Sequence, residues 1–451
     1  MKQPPFILIK GELVQQTATS LGGNGESNWV DHVLCRDGQE RYTLRGETLA
    51  GALMATARKL YSNLPIEIEA NDKKQPSVWR LFTSHPKCIA HEIVRQNVRI
   101  HGKTGAAVNG GLFDSENLPP GTRWSFVLEI DLSRSNDNYQ QIIDMTLQTL
   151  RVWANGYCWL GRSVSRGTGW FCLEKTQIAK VGWEQWPNSN INNVSEYFDS
   201  HFTERAQSLC EISNTDLVSD GGWQWHEFRL TLTVGESSDN DYGINFLSIG
   251  GHSGDSLLLD IQKDLIDQQR LLLPDSKLSS SVTERWLADH VFAYTREQDA
   301  IKPYIPGSSI RGVLRHAAEW WANKHGLSMD HLDEVFGTMT DKPKAGALLV
   351  SDAQLSSDNW QAALLKMHAE DEFSGGVYES ALFDRLVLTQ AQFTARLVLE
   401  ARQSDIKKLH HALTPAFKLA QQGFIGLGGQ THRGLGRLHW QIEEINGVNL
   451  C

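Results

Sequence analysis

The chain carries one ordered set of segments twice, and a duplication of this kind fixes the architecture before any single motif does. Near the N-terminus it reads Trp29-Val30-Asp31-His32-Val33-Leu34, followed by Leu44-Arg45-Gly46-Glu47-Thr48-Leu49-Ala50-Gly51. Further on it reads Trp286-Leu287-Ala288-Asp289-His290-Val291-Phe292, followed by Ile305-Pro306-Gly307-Ser308-Ser309-Ile310-Arg311-Gly312. Gly110-Gly111-Leu112-Phe113-Asp114 is echoed by Ser380-Ala381-Leu382-Phe383-Asp384. Leu160-Gly161-Arg162-Ser163-Val164-Ser165-Arg166-Gly167-Thr168-Gly169 is echoed by Leu427-Gly428-Gly429-Gln430-Thr431-His432-Arg433-Gly434-Leu435-Gly436. Matched positions lie 258 apart for the aspartates, 261 for the helix-start glycines, 270 for the phenylalanines and 267 for the loop arginines. Chance would not preserve order and spacing together, so the chain reads as two copies of one domain.

The coarse pattern gives each copy the same plan. In the first, residues 6–15 read as a strand, Thr48 to Tyr61 as a helix, Glu92 to His101 and Trp124 to Leu132 as strands, Asn138 to Asn155 as a helix and Trp170 to Val181 as a closing strand. In the second, His226 to Gly235 is a strand, Ser309 to His325 a helix, Ala347 to Ala353 and Phe393 to Leu399 strands, Ser404 to Gln422 a helix and Arg437 to Ile442 a final strand. Strand–helix–strand–strand–helix–strand is the ferredoxin-like order. The expected fold class is therefore α+β, two tandem ferredoxin-like domains over residues 1–182 and 223–451. Residues 183–222, rich in Asn and Ser, read as a linker, and residues 254–285 as an insertion in the second copy with room for one helix.

Bulk properties exclude several classes. No apolar run reaches the ~18 residues of a membrane helix, and Phe6-Ile7-Leu8-Ile9 is too short for a signal-peptide core. The six cysteines form no CxxC pair, so neither a zinc ribbon nor a disulfide framework is implied, and a cytoplasmic setting is expected. A net charge of −10 argues against indiscriminate nucleic-acid binding but leaves room for a basic face. Among the 15 tryptophans some belong to cores, and exposed ones suit stacking on bases.

Four motifs carry chemistry. The two Gly-rich loops each follow a predicted helix and precede a strand. Their glycines let backbone approach a ligand closely, and Arg162, Ser165, Arg166, Thr431, His432 and Arg433 are the phosphate-contact candidates; as plain turns they would need only one or two glycines. The helix start Gly307-Ser308-Ser309 offers free N–H groups and a dipole to an anion, with Ser308 or Ser309 the predicted cap and Arg311 or Arg315 a bidentate clamp. In the first copy Glu47 and Ala50 replace Ser308 and Arg311, and Arg45 compensates from the preceding position. Asp31 and Asp289 precede these helices. A loop carboxylate commonly only caps or is solvated, yet it also suits a divalent cation such as Mg²⁺ near a scissile phosphate. His32 and His290 beside them are general acid or base candidates. Lys103 in His101-Gly102-Lys103-Thr104-Gly105 is a further phosphate contact, although the segment lacks the grammar of an NTPase loop.

Together these elements resemble the RAMP superfamily of CRISPR-associated proteins, and more narrowly the backbone subunits of type III (Csm/Cmr-like) effector complexes. The resemblance rests on an aspartate before the first helix, a Gly-Ser-Ser-aliphatic-basic-Gly helix start, the segment Lys103-Thr104-Gly105-Ala106-Ala107 through Leu112-Phe113-Asp114, and a C-terminal Gly-rich loop. Two fused copies resemble the tandem subunit of type III-D-like complexes. The resemblance implies palm domains with β-hairpin thumbs that hold guide RNA. It implies target RNA cut at Asp31 and Asp289 with Mg²⁺ or another divalent cation, and further effector subunits as partners. The runner-up reading is a guide-processing RAMP endoribonuclease using His32, and a third is a non-catalytic RNA-binding scaffold.

Overall fold

The computed structural model describes residues 6–23, 30–69, 76–88, 93–101, 107–135, 138–181, 207–208, 220–235, 246–252, 261, 263–272, 288–297, 300–338, 344–370, 373–374 and 376–445. The first copy is built from β1 (Phe6–Gln15), α1 (Gly46–Leu60), β2 (Trp79–Leu81), the hairpin β3 (Ile93–Ile100) and β4 (Ala107–Asn117), β5 (Arg123–Asp131), α2 (Tyr139–Ala154) and β6 (Trp170–Val181). Its antiparallel sheet runs β2-β5-β1-β6, while β3 and β4 pair only with each other and project from it. α1 and α2 lay Leu49, Leu53, Ile142, Leu150 and Trp153 against the sheet residues Ile7, Phe126, Leu128 and Phe171. Buried tryptophans here find polar partners, as indole N–H groups must: Trp124 Nε1 donates to Gln15 Oε1 (2.8 Å), and Trp153 Nε1 to Thr56 Oγ1 (3.0 Å).

The second copy comprises β7 (Trp223–Val234), β8 (His290–Phe292), β9 (Ala300–Ile305), α3 (Gly307–His325), α4 (Asp330–Phe336), β10 (Leu348–Val350), β11 (Ala353–Leu355), β12 (Gln361–Glu370), β13 (Val377–Arg402), α5 (Gln403–Gln421) and β14 (His439–Ile445). β14 pairs with β7, β7 with β13, and β13 with β10 and β11, so the duplicated strands take duplicated places. One difference has a clear cause. In the first copy Pro119-Pro120-Gly121 separates β4 from β5, because proline cannot donate to a ladder. The second copy has no proline there, and β13 runs unbroken for 26 residues from hairpin into palm. Within the expected linker, Gln207–Ser208 adds a short edge strand on β6, and in the expected insertion residues 263–267 are helical.

The two copies meet along an aromatic seam. Leu60, Tyr61, Tyr157 and Trp170 of the first pack against Trp225, Leu349 and Val398 of the second. Glu400 Oε2 accepts from both Trp225 Nε1 (2.7 Å) and Trp159 Nε1 (3.3 Å). Arg396 grips Glu227 through two bonds of 2.7 and 2.9 Å, and Tyr157 Oη donates to the same carboxylate at 2.7 Å. Burial raises the Glu227 pKa, but Arg396 and Tyr157 outweigh it, and the carboxyl ends below its ordinary range. Its contribution is therefore full at neutral pH and is lost as pH falls below about 4, through the depressed folded value. The stability difference between the protein and Glu227→Gln should be largest near pH 7 and shrink on acidification; a constant difference in urea unfolding from pH 7 to 3 would rule this out.

Candidate functional site

Asp31 and Asp289 occupy equivalent places at the roots of the two hairpins. Asp31 Oδ2 accepts from the main-chain N–H of Asp114 at 2.8 Å, and Asp289 Oδ2 accepts from that of Asp384 at 2.7 Å. His32 and His290 bridge in parallel to Ser115 and Arg385, the residues after those amides. Each imidazole stands edge-on to the echoed phenylalanine, His32 to Phe113 at 5.8 Å and His290 to Phe383 at 6.3 Å. A hydrogen bond from a backbone amide fixes the direction in which each carboxylate points. Both aspartates are exposed.

The fold adds a second carboxylate to each place, Asp114 beside Asp31 and Asp384 beside Asp289. The Leu-Phe-Asp echo is plain in the sequence, but only the strand pairing sets its aspartate next to the first. Asp114 Oδ1 is buried without a hydrogen-bond partner. Such an orphaned hard oxygen suits Mg²⁺, which is held by one or two carboxylates and keeps several waters. The residues present thus fit a divalent cation.

The two places differ at the neighbouring histidine. Arg162 Nη1 lies 2.9 Å from His32 Nδ1. A guanidinium can only donate, so Nδ1 accepts and a neutral His32 carries its proton on Nε2. Gly429 stands where Arg162 would be in the second copy, and the arginine near that loop is Arg385, whose Nη1 donates to Ser248 Oγ at 2.7 Å.

The Gly-rich loops share one backbone path. Each closes with Leu160 N–H on Gly169 O or Leu427 N–H on Gly436 O, both 2.9 Å. Ser163 and Gln430 are left-handed at φ 57° and 60°. Gly169 and Gly436 take φ 76° and 78°, and a Cβ on either would collide with its loop's leucine carbonyl. Arg166, His432 and Arg433 are exposed, and Ser165 and Thr431 half-buried. Arg166 Nη2 donates to Ser163 Oγ (2.9 Å) and Arg433 Nη1 to His368 O (3.2 Å).

The helix starts depart from expectation. The cap position of α3 is Pro306, and neither Ser308 nor Ser309 caps through its side chain. The anion drawn to this N-terminus belongs to the protein: Asp352 Oδ1 accepts from Gly307 N–H at 2.9 Å, while Asp352 Oδ2 meets Arg95 of the first hairpin at 2.5 Å. Gly167 of the first loop sits against Gly307 and Asp352, where a Cβ would collide. Arg311 does not clamp outward. Its Nε donates to Leu348 O at the start of β10 (3.2 Å) and its Nη2 to Phe336 O at the end of α4 (2.7 Å). Burial, with Arg315 and Arg166 nearby, pushes its pKa down to about 10. Arg315 bonds Glu319 (2.6 Å) and Gly337 O (3.3 Å). In the first copy Arg45 is at the cap position of α1 and pairs with Glu47 at 3.3 Å. Lys103 lies outside the described residues.

Among the described residues no helix is long and apolar enough to cross a membrane. No curated protein matches the chain. The model of the RAMP superfamily matches it twice, over residues 20–172 and again over residues 290–439. Each match ends just past a Gly-rich loop, and together they cover well over half of the sequence. The chain therefore belongs to the RAMP superfamily, as a tandem pair of its domains.

Proposed function

We propose that this protein is a guide-RNA-holding backbone subunit of a type III CRISPR effector complex, one that cuts complementary target RNA at two places. RAMP membership suggests a CRISPR-associated RNA-binding role and association with other effector subunits, and RAMP proteins can be RNases. The observation that carries the finer reading is the repeated root geometry, a carboxylate bonded to a hairpin amide in each copy. We read the palms as modified ferredoxin-like sheets and the hairpins as thumbs. Hairpin apolar side chains at Val94, Val98, Leu112 and Leu382 are solvent-exposed, as wedges against a duplex would be.

In this reading Asp31 with Asp114, and Asp289 with Asp384, hold a divalent cation. When bound, the cation neutralises charge at the scissile phosphate. The two aspartates orient the attacking 2′-hydroxyl, and His32 presents its Nε2–H to a phosphate or leaving oxygen. Guide phosphates lie along Arg166 and Arg433, which the fold leaves exposed, and Arg45, Arg315, Ser308 and Ser309 line the remainder of the path. Incubating the assembled complex with complementary RNA and Mg²⁺ tests this: two regularly spaced cuts are expected, and intact target would refute the cleavage assignment.

Arg166→Ala and Arg433→Ala should each weaken guide binding and lower its log–log salt slope by about one. Filter binding at several salt concentrations checks this, and an unchanged slope would reduce both loops to turns. A second reading has its own observation, the contact of Arg162 with His32 Nδ1. If the isolated chain cuts repeat-derived guide precursor and His32→Ala stops it, the protein is a guide-processing endoribonuclease.

A further inference from the structure

Three metal-competent side chains converge away from the hairpin roots. His226 lies near the start of β7, His410 on α5 and Glu444 near the end of β14, and one ligand atom from each falls within 4.8 Å of the others. His226 Nδ1 is 3.5 Å from Glu444 Oε1, buried, and without a hydrogen-bond partner. The two imidazoles are 6.2 Å apart between centroids, and Phe228, 5.3 Å from the His410 ring, walls the inner side. An ordinary ion pair needs one histidine. Here two come from separate elements, and a buried ring nitrogen has no other use.

We propose that His226, His410 and Glu444 form a zinc site that fastens the last strand of the second domain to its first strand and last helix. Two imidazoles and one carboxylate are a known zinc donor set with the fourth position left to water, whereas Mg²⁺ prefers oxygen alone. Tetrahedral zinc with bonds near 2.0–2.1 Å needs donors about 3.4 Å apart, which small ring rotations reach. The site lies on the helix-covered face of β7. The next residue, Glu227, points to the opposite face and binds Arg396 at the seam. Zinc would thus brace the strand that anchors the two copies together.

The test uses the full chain, stripped with chelator and titrated with Zn²⁺ alone by calorimetry, with Co²⁺ as a spectroscopic stand-in. One equivalent should bind, give tetrahedral Co²⁺ absorption and raise the melting temperature through linkage. Glu444→Gln, at a side chain 47% exposed and so tolerant of change, should weaken binding by at least ~10-fold. His226→Asn with His410→Asn should abolish the tetrahedral spectrum. The proposal is overturned if the unmodified chain binds no Zn²⁺, or if it binds one equivalent that both variants retain with equal affinity.

Discussion

Alanine at both Asp31 and Asp289 should eliminate target cleavage, and each single change should remove one cut while the other persists. The expected loss at each place is at least ~100-fold in rate, with guide and target binding within a few-fold of normal. A carboxylate that positions a cation serves the transition state more than the ground state. Because Asp31 and Asp289 are exposed and each bonds a single backbone amide, their removal leaves the hairpins paired. Sequencing-gel mapping of products assigns each cut to its copy. Retention of both cuts in the double variant would sink the assignment. Asp114→Asn and Asp384→Asn should follow the same pattern more weakly, since in the proposed sites each would supply the second oxygen donor.

The second large effect is on stability. Arg95 and Asp352, with side chains 10% and 2% exposed, form an ion pair between the first hairpin and the second domain. Breaking a buried pair strands one charge and costs about 3–5 kcal/mol. Asp352→Asn keeps an acceptor for Gly307 N–H but leaves the guanidinium uncompensated. Arg95→Met leaves the carboxylate instead. The double variant Arg95→Met with Asp352→Asn removes both charges and should recover most of the loss. Burial already pushes the Asp352 carboxyl above its ordinary range, with Arg95 opposing, so without Arg95 the folded state favours the protonated acid more strongly. A raised acid pKa gives stability that is greatest at low pH and lost as pH rises, so the Arg95→Met deficit should narrow in acid. Urea unfolding of the four proteins measures the cycle; additive single effects would show that the two residues act independently.

What the sequence made legible was what local periodicity encodes. The strand Trp170–Val181 lies where its pattern put it, and α1, α2 and α5 begin and end within two residues of expectation. α3 begins two residues earlier than Ser309 because Pro306, with its fixed φ, does the work of a cap. β3 lies within one residue of the expected Glu92 to His101, but its partner β4 is not expected from sequence, because Gly110-Gly111 interrupts the strand pattern. The seam was unreadable: Arg95 and Asp352 are 257 positions apart, and each taken alone is an ordinary surface charge. The same holds for Asp384 at the hairpin root and for His226, His410 and Glu444, which no local spacing connects. Arg311 was misassigned because a basic residue one turn into a helix looks outward-facing until α4 is placed against it.

The first hairpin belongs by sequence to one domain and by its ion pair to the next. Pro119-Pro120-Gly121 breaks the strand at its root, and Arg95 pins its flank to Asp352. The second hairpin has no such joint, because β13 carries it rigidly out of its own palm. The first hairpin is therefore fastened to the second domain through one ion pair, while the second hairpin is continuous with that domain's own sheet. Both hairpins are thus tied to one domain, and the interval between the aspartates at their roots is a gauge set within a single polypeptide.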